Sequence, residues 1–146
     1  MDTSSATAST ANTGFLLAKA SQRWNELLHE RFSRAGYADV RPAYGSVLLP
    51  LFEEDGLRMG ELASRARLSK QTMTTLIRLM ERRGLVRRRP DREDGRAARV
   101  HLTARARRFR PVAERVLREL DDLLAERFPP EDLHALERTL RGVMYL

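Results

Sequence analysis

The stretch SKQTMTTLIRLMERRGLVRRRPDREDGRAARVHLT, residues 69–103, decides the fold that we predict for this chain. Ser69 is a favourable N-cap residue, and Gly84 stands where a left-handed residue often closes a helix. Between them, apolar residues recur at the three-to-four spacing of an amphipathic helix, which we predict over Lys70–Arg83. The apolar face of this helix consists of Met73, Leu76, Ile77 and Met80.

A β-hairpin is predicted after this helix, and a shorter helix before it. Leu85–Arg89 and Ala98–Leu102 are expected to be strands, because the polar loop between them, Pro90–Ala97, is rich in turn residues. Met59–Ala66 is expected to be a helix that a tight turn at Arg67-Leu68 joins to the next one. Two helices across a tight turn are typical of a helix-turn-helix, and the hairpin is its candidate wing.

Outside this lobe, apolar periodicity predicts further helices, so the fold class is mainly α with a small β-hairpin. Pro50 should bend its helix or end it early, and Pro111 should bend a long one. Residues 1–13, rich in Ser, Thr and Ala, are predicted to be a disordered tail. The helices are expected over residues 15–35, from Pro42 to the acidic run at 53–55, from Ala104 towards Phe128, and after Pro129-Pro130.

The positive charge of the chain is concentrated in its middle. The net charge is +7, yet residues 58–110 hold 17 Lys and Arg against 5 Asp and Glu, a balance of +12. The remainder therefore carries 10 basic and 15 acidic residues, a balance of −5. An Arg-rich proteome would explain the preference for arginine but not this segregation, which favours a phosphate-binding module that binds nucleic acid. Together with the predicted helix-turn-helix, it makes double-stranded DNA the expected partner.

Several classes of function are disfavoured by what the chain lacks. It has no cysteine, which excludes disulfides, Cys-ligated zinc and thiol-based sensing. Its three histidines, His29, His101 and His134, are scattered without metal spacing, and no phosphate loop or nucleophile motif occurs. We therefore expect no enzyme, no cofactor and no metal. No apolar run reaches membrane-spanning length and no signal peptide is apparent, so a cytoplasmic protein is expected.

The lobe resembles the DNA-binding lobe of the MarR (multiple antibiotic resistance regulator) family, and the order of the flanking helices agrees over roughly residues 15–146. Four positions depart from the common pattern: Gly95 and Thr75 stand where many members have arginine, and Pro50 and Pro111 are less usual. The cysteine of the hydroperoxide-sensing members is absent. The motifs that carry the resemblance are Leu62-Ala63, Leu68-Ser69, Thr72, Leu76, Gly84-Leu85-Val86, Asp94, Arg96 and Leu102-Thr103.

The resemblance implies a winged helix-turn-helix lobe over residues 57–103 within a single domain, 14–146. It also implies a homodimer, held by helices in the segments 14–38 and 104–146, that acts as a ligand-responsive repressor. Two recognition helices would enter successive major grooves roughly 34 Å apart, on a near-palindromic operator of about 16–22 base pairs. Many relatives release DNA on binding a small aromatic or anionic molecule, so such an effector is an additional expected partner.

Residues of the recognition helix and wing are assigned roles by chemistry. Gln71 can pair with adenine, and Arg78 can reach guanine or a phosphate. Arg92 and Arg96 suit a narrow minor groove, whereas Asp94 is expected to brace Arg96 or the loop amides. The candidate DNA-binding residues are Ser69, Lys70, Gln71, Thr72, Thr74, Thr75, Arg78, Arg89, Arg92 and Arg96.

The candidate ligand-binding residues are aromatic, and core packing is an alternative role for each of them. Arg31 or Arg67 could pair a carboxylate of the effector. The four candidates, chosen by helix order, are Trp24, His29, Tyr44 and Phe52.

Two alternatives to a specific regulator stay open at the level of sequence. One is an architectural protein that coats DNA without sequence preference, which a basic wing permits. The other is a winged-helix module that mainly contacts proteins.

Overall fold

A computed structural model describes residues 8–146 as a mainly helical fold with a small antiparallel sheet. The predicted fold class is confirmed. A single 3₁₀ turn at Pro42–Tyr44 leads into the second helix. The elements are α1 (Thr13–Arg34), α2 (Gly45–Glu53), β1 (Leu57–Arg58), α3 (Met59–Ala66), α4 (Lys70–Arg82), β2 (Val86–Pro90), β3 (Ala98–Leu102), α5 (Ala104–Arg127) and α6 (Pro130–Val143).

The first helix begins two residues earlier than its apolar pattern indicates. Asn12 is its N-cap, and the side-chain Oδ1 accepts hydrogen bonds from the N–H groups of Gly14 (2.9 Å) and Phe15 (3.3 Å). Thr13, placed in the tail by composition, is therefore the first helical residue. The first seven residues of the expected tail lie outside the described part of the chain.

Both helices of the predicted helix-turn-helix are present, and the residues that cap their ends explain where they begin and end. Arg67 closes α3 in the left-handed conformation (φ +56°), which turns the chain within two residues. Ser69 caps α4 by accepting from the N–H of Thr72 at 3.1 Å. At the other end Gly84 has φ +68°, and Leu85 donates its N–H to the carbonyl of Met80 at 3.0 Å. This is the Schellman pattern that a glycine at this position favours.

The wing belongs to a three-stranded sheet with the order β1-β3-β2. β2 pairs with β3 from Val86↔Leu102 to Pro90↔Ala98, so it lies one residue later than predicted because Leu85 closes the preceding helix. The two-residue strand β1 pairs Leu57 with Val100. The hairpin is therefore anchored along its second strand.

The core lies between α1, α2, the lobe and α5 as far as Leu120. Met73, Ile77 and Met80 are fully buried, as their helical spacing predicts, whereas Leu76 is only half-buried. Both internal prolines lie inside continuous helices, Pro50 in α2 and Pro111 in α5. α2 ends at Glu53, three residues after its proline and within the predicted acidic run.

The C-terminal helix contributes nothing to the core of the single chain. None of the residues of α6 is buried, although its apolar residues recur along one side. The side chains of Leu136, Leu140 and Val143 are 48%, 39% and 39% exposed. Near the other terminus, Phe15 and Leu16 of α1 are similarly exposed. Among residues 8–146, no helix has both the length and the apolar character needed to cross a membrane.

Candidate nucleic-acid interface

The recognition helix α4 presents a polar edge to solvent. Gln71, Thr75 and Arg78 are exposed along it, and Ser69, Lys70 and Thr72 are exposed at its N-terminal end. Thr74 is half-buried. The opposite face of this helix is occupied by fully buried apolar side chains. The surface available for reading bases is therefore a single strip of the helix.

The hydroxyl groups along this strip are engaged by the helix itself. Thr74 Oγ1 donates to the carbonyl of Lys70 at 2.9 Å, and Thr75 Oγ1 donates to the carbonyl of Gln71 at 3.1 Å. Ser69 Oγ donates to Thr72 Oγ1 at 2.9 Å. Two threonine donors are thus used internally, which makes contact of their methyl groups with thymine the better use of these side chains.

The basic residues of the segment 58–110 differ in the contacts that their side chains make. Seven of them, all arginines, make ion pairs with acidic residues: Arg58 and Arg99 with Asp91, Arg65 with Glu54, Arg88 with Glu81, Arg105 with Asp39, Arg107 with Asp55, and Arg110 with Glu114. Within residues 8–146 no ion pair or hydrogen bond of the side chain is found for another set, which keeps its charge available for phosphate. This set includes Lys70, Arg78, Arg89, Arg92 and Arg96.

A cleft of about 590 Å³ separates the recognition helix from the wing. Lys70 and Thr74 line it from α4, and Arg96 lines it from the wing loop. Arg58 and Arg88 also line this cleft, and neither is among the candidate DNA-binding residues chosen from the sequence. Arg58 and Arg88 are paired with acidic residues and Glu61 adds a carboxylate to the lining, so Lys70 and Arg96 are the cations of this groove that suit the negative charge of a nucleic-acid backbone.

The predicted residues do not all share this cleft. Gln71, Thr72 and Thr75 line a second groove on the other side of α4, between the recognition helix and α2. Arg78, Arg89 and Arg92 are exposed but line neither groove. The candidate site is therefore a ridge, the edge of α4, with a basic cleft on its wing side.

The wing loop is held by two aspartates with different roles. Asp94 Oδ1 accepts from the N–H of Arg96 at 3.1 Å, and its carbonyl accepts from the N–H of Ala97 at 3.0 Å. This confirms that Asp94 braces the loop amides. Asp91 is the one buried charged residue in the described part of the chain, and the sequence identified it only as a turn residue.

Asp91 links the wing to the elements beneath it. Its carboxylate lies 2.5 Å from Arg58 of β1 and 3.3 Å from Arg99 of β3, and it accepts from the N–H of Glu93 at 3.3 Å. Burial raises the pKa of Asp91, but the Glu93 N–H and the Arg99 and Arg58 cations outweigh it and hold the pKa below its ordinary value. Asp91 is therefore ionised at neutral pH.

An apolar cavity of about 260 Å³ lies where α1, α2 and α5 meet. Trp24 and Phe52, two of the four predicted ligand residues, line it together with Phe109. Arg41 is the arginine at its edge, and Arg110 stacks over the Phe52 ring at 5.5 Å. The structure places both predicted carboxylate partners elsewhere: Arg31 pairs with Glu119, and Arg67 donates to the carbonyl of Met144.

The other two predicted ligand residues do not line this cavity. His29 Nε2 lies 3.1 Å from the carbonyl oxygen of Ala38, which ties α1 to the loop that follows it. Tyr44 is 4% exposed and packs in the core. Helix order alone could not separate these side chains from Trp24 and Phe52, since all four are aromatic and lie on neighbouring segments.

The helix-turn-helix, its hairpin and the basic cleft define a winged helix-turn-helix protein. Residues 38–97 match the model of the MarR family. This match covers the helix-turn-helix and most of the wing, where all but the last of the sequence motifs that resemble the MarR family lie.

Two kinds of relatives were found. A stretch of 61 residues is 44% identical to the HTH-type transcriptional regulator TtmR of Methylorubrum extorquens and covers 42% of this chain but only 31% of that protein. The ligand complex of the PcaV transcriptional regulator from Streptomyces coelicolor has a TM-score of 0.79 at 20% identity, covering 94% of this chain and 96% of that one. The S. aureus MepR–DNA complex has a TM-score of 0.77 at 20% identity, covering 90% and 94%. At these identities the structures share the fold.

Proposed function

We propose that this protein is a sequence-specific, DNA-binding transcriptional regulator that acts as a homodimer. The observation that carries the proposal is the coincidence of an exposed polar helix edge with cations that have no acidic partner within residues 8–146. Lys70 and Arg96 face each other across the cleft, one from the helix and one from the wing. The complex of MepR with DNA supports it by likeness of fold. A repressor is the form of regulation that we propose.

The homodimer follows from the apolar residues that the single chain leaves exposed. Leu136, Leu140 and Val143 on α6 and Phe15 and Leu16 on α1 belong to the two terminal helices. A symmetric dimer would bury such residues against their own copies. It would also present two recognition helices to one duplex, so the expected operator is a near-palindrome with half-sites one helical turn apart.

The first prediction concerns the wing. Arg96→Ala should weaken binding to the operator and reduce the salt dependence of the binding constant by about one unit of slope, because one phosphate contact is lost. The operator is located by footprinting on intergenic DNA flanking the gene, and binding is then measured by gel shift between low and high salt.

Arg118→Ala is the matched control for this experiment, since Arg118 is exposed on α5 outside the lobe. It should leave both the affinity and the salt slope unchanged. Equal affinity for the operator and for scrambled DNA would contradict a specific regulator and would favour the architectural role. Full DNA binding after replacement of both Gln71 and Arg96 would instead favour a protein-contact module.

We also infer a small aromatic anion as effector, bound in the cavity of Trp24 and Phe52. The volume, about 260 Å³, is slightly below the range of about 300–1,000 Å³ typical of ligand pockets, which favours a single-ring compound. Arg41 is exposed at the edge, so its guanidinium can pair a carboxylate. The PcaV complex with its natural ligand supports a ligand-responsive member of this fold.

The second prediction uses the single tryptophan of the chain, Trp24, as a probe. Titration with benzoate and its hydroxylated derivatives should change the emission of Trp24 saturably for at least one of them. Ala113 is buried and lines the cavity, so Ala113→Leu should fill it and weaken this binding by at least about tenfold. Ala104→Leu adds the same volume at an exposed site of α5 and should have no effect. An equal, saturable response in both variants would place the ligand elsewhere.

A further inference from the structure

Arg105, the second residue of α5, connects two parts of the molecule that are distant in sequence. Its Nη1 donates to the carbonyl of Arg83 at 2.7 Å, and its Nη2 donates to Asp39 Oδ1 at 2.6 Å. Arg83 ends the recognition helix, and Asp39 lies in the loop after α1. One guanidinium therefore spans the gap between the DNA-reading lobe and the first helix.

The contact at Arg83 is made to the end of the recognition helix where its carbonyls lack partners within the helix. A cation at this end also complements the helix dipole. Thr103 Oγ1 donates to the next carbonyl, that of Gly84, at 2.6 Å. Thr103 is the N-cap of α5, so its contacts stay within the lobe and its adjoining helix. Of Thr103 and Arg105, Arg105 is the residue that also contacts the loop after α1.

The loop that holds Asp39 is itself well fixed. Tyr37 donates its N–H to the carbonyl of Phe32 at 2.8 Å, and Val40 donates to the carbonyl of Tyr37 at 3.0 Å. Val40 is 1% exposed. The hydrogen bond from Arg105 and its charge lower the pKa of Asp39 against the effect of partial burial, so the pair stays ionised at neutral pH. Asp39 is thus a firm anchor for the guanidinium.

Aromatic rings extend this connection to the wall of the cavity. The Arg105 guanidinium lies 5.6 Å from the ring of Tyr37, whose ring centroid is 4.9 Å from that of Phe109. Phe109 packs edge-to-face on Phe32, again at 4.9 Å, and both phenylalanines line the cavity. The end of the recognition helix and the cavity are therefore separated by only two side chains, Arg105 and Tyr37.

We propose that Arg105 is a positioning residue that fixes the recognition helix relative to the α1 segment and so sets the distance between the two recognition helices of the dimer. This inference rests on the proposed function, because the distance matters only if two copies read one operator. In this role Arg105 does not touch DNA. It holds the C-terminal end of α4. Because the helix is rigid, this contact also fixes the position of its N-terminal end and of its exposed edge.

The experiment uses the absence of cysteine from the chain, which permits spin labels at chosen sites. Lys19→Cys on α1 and Arg78→Cys on α4, both at exposed positions, are introduced together and labelled. Pulsed electron resonance on labelled protein diluted with unlabelled chains then reports the distance within one chain. Arg105→Lys and Asp39→Asn should each shift or broaden this distance by more than about 2 Å. Arg108→Lys, exposed on the same helix, should leave it unchanged.

Arg105→Lys and Asp39→Asn are then made in the chain that keeps Lys19 and Arg78. They are tested on operators whose half-site separation is changed by one or two base pairs. Discrimination between separations should fall by about tenfold in Arg105→Lys and Asp39→Asn, while binding to scrambled DNA stays at the unaltered value and both variants remain folded at the temperature of the assay. An unchanged distance distribution in both variants would overturn the positioning role. A loss of discrimination that appears only at temperatures where the variant begins to unfold would overturn it too.

The two proposals fail in different ways. If Arg105→Lys does not fold, Asp39→Asn removes the ion pair with a side chain of the same shape and decides the matter. If the unaltered protein shows a narrow distance that broadens in the variants but binds no operator, the positioning role stands and the regulatory function fails. If it binds its operator and the variants keep both the distance and the discrimination, the positioning role fails alone.

Discussion

Leu140→Glu is expected to make the protein monomeric and to lower its affinity for the operator by at least about 100-fold. Leu140 is 39% exposed in the single chain, within the stripe that includes Leu136 and Val143. In the proposed dimer this stripe is buried, and a carboxylate placed there would lose its water without gaining a partner. Binding through two linked half-sites exceeds binding through one by about 10²–10⁴, so loss of the dimer removes most of the affinity.

The oligomeric state is measured by light scattering across a range of protein concentrations, and operator affinity by gel shift. His134→Glu is the matched control, because His134 is exposed on a different side of α6 and receives the same new group. It should leave both the dimer and the affinity intact. A stable monomer in the unaltered protein, or a dimer that persists in Leu140→Glu, would contradict the role assigned to α6.

The elements of the lobe could be predicted because their signals are local. Ser69 and Gly84 mark the ends of the recognition helix through contacts within a few residues of each other. The register of the hairpin follows from the length of its loop in the same way. The first residues of α1 and β2 were harder to predict. Asn12 caps α1 although the composition around it is typical of a disordered tail, and the N–H of Leu85 bonds to the preceding helix, so β2 begins one residue later.

The parts of the candidate site that sequence could not supply depend on contacts between distant residues. Nothing within residues 88–95 distinguishes Asp91 from Asp94, because the partner that buries Asp91 is Arg58, over thirty positions earlier. Likewise nothing in the sequence distinguishes Arg105 from the other arginines, because its partners Asp39 and Arg83 are distant from it in the chain. Charge counting located the basic segment, but only the fold separates arginines that hold the lobe together from those left for DNA.

Asp91→Asn is expected to lower the ratio of operator to scrambled-DNA affinity by about tenfold. The substitution removes the charge that holds Arg58 of β1 and Arg99 of β3 under the wing. It also makes the lobe more positive, so binding to scrambled DNA should hold or rise while the wing loses its fixed position. The melting temperature at pH 7 should fall by about 3–6 °C. Glu93→Gln, an exposed carboxylate in the same loop, makes the same change of charge and should preserve the ratio.

The dependence of this effect on pH follows from the lowered pKa of Asp91. A carboxyl group whose pKa is lower in the folded chain than in the unfolded chain stabilises the fold fully above its ordinary value of 3.8. This stabilisation is lost as the pH falls below that value and through the folded pKa. The difference in melting temperature between the unaltered protein and Asp91→Asn should therefore be constant from pH 7 to about pH 5 and shrink below pH 3.8. Because other carboxyl groups titrate equally in both proteins, a difference that instead persists undiminished in acid would show that packing, rather than the charge of Asp91, holds the wing.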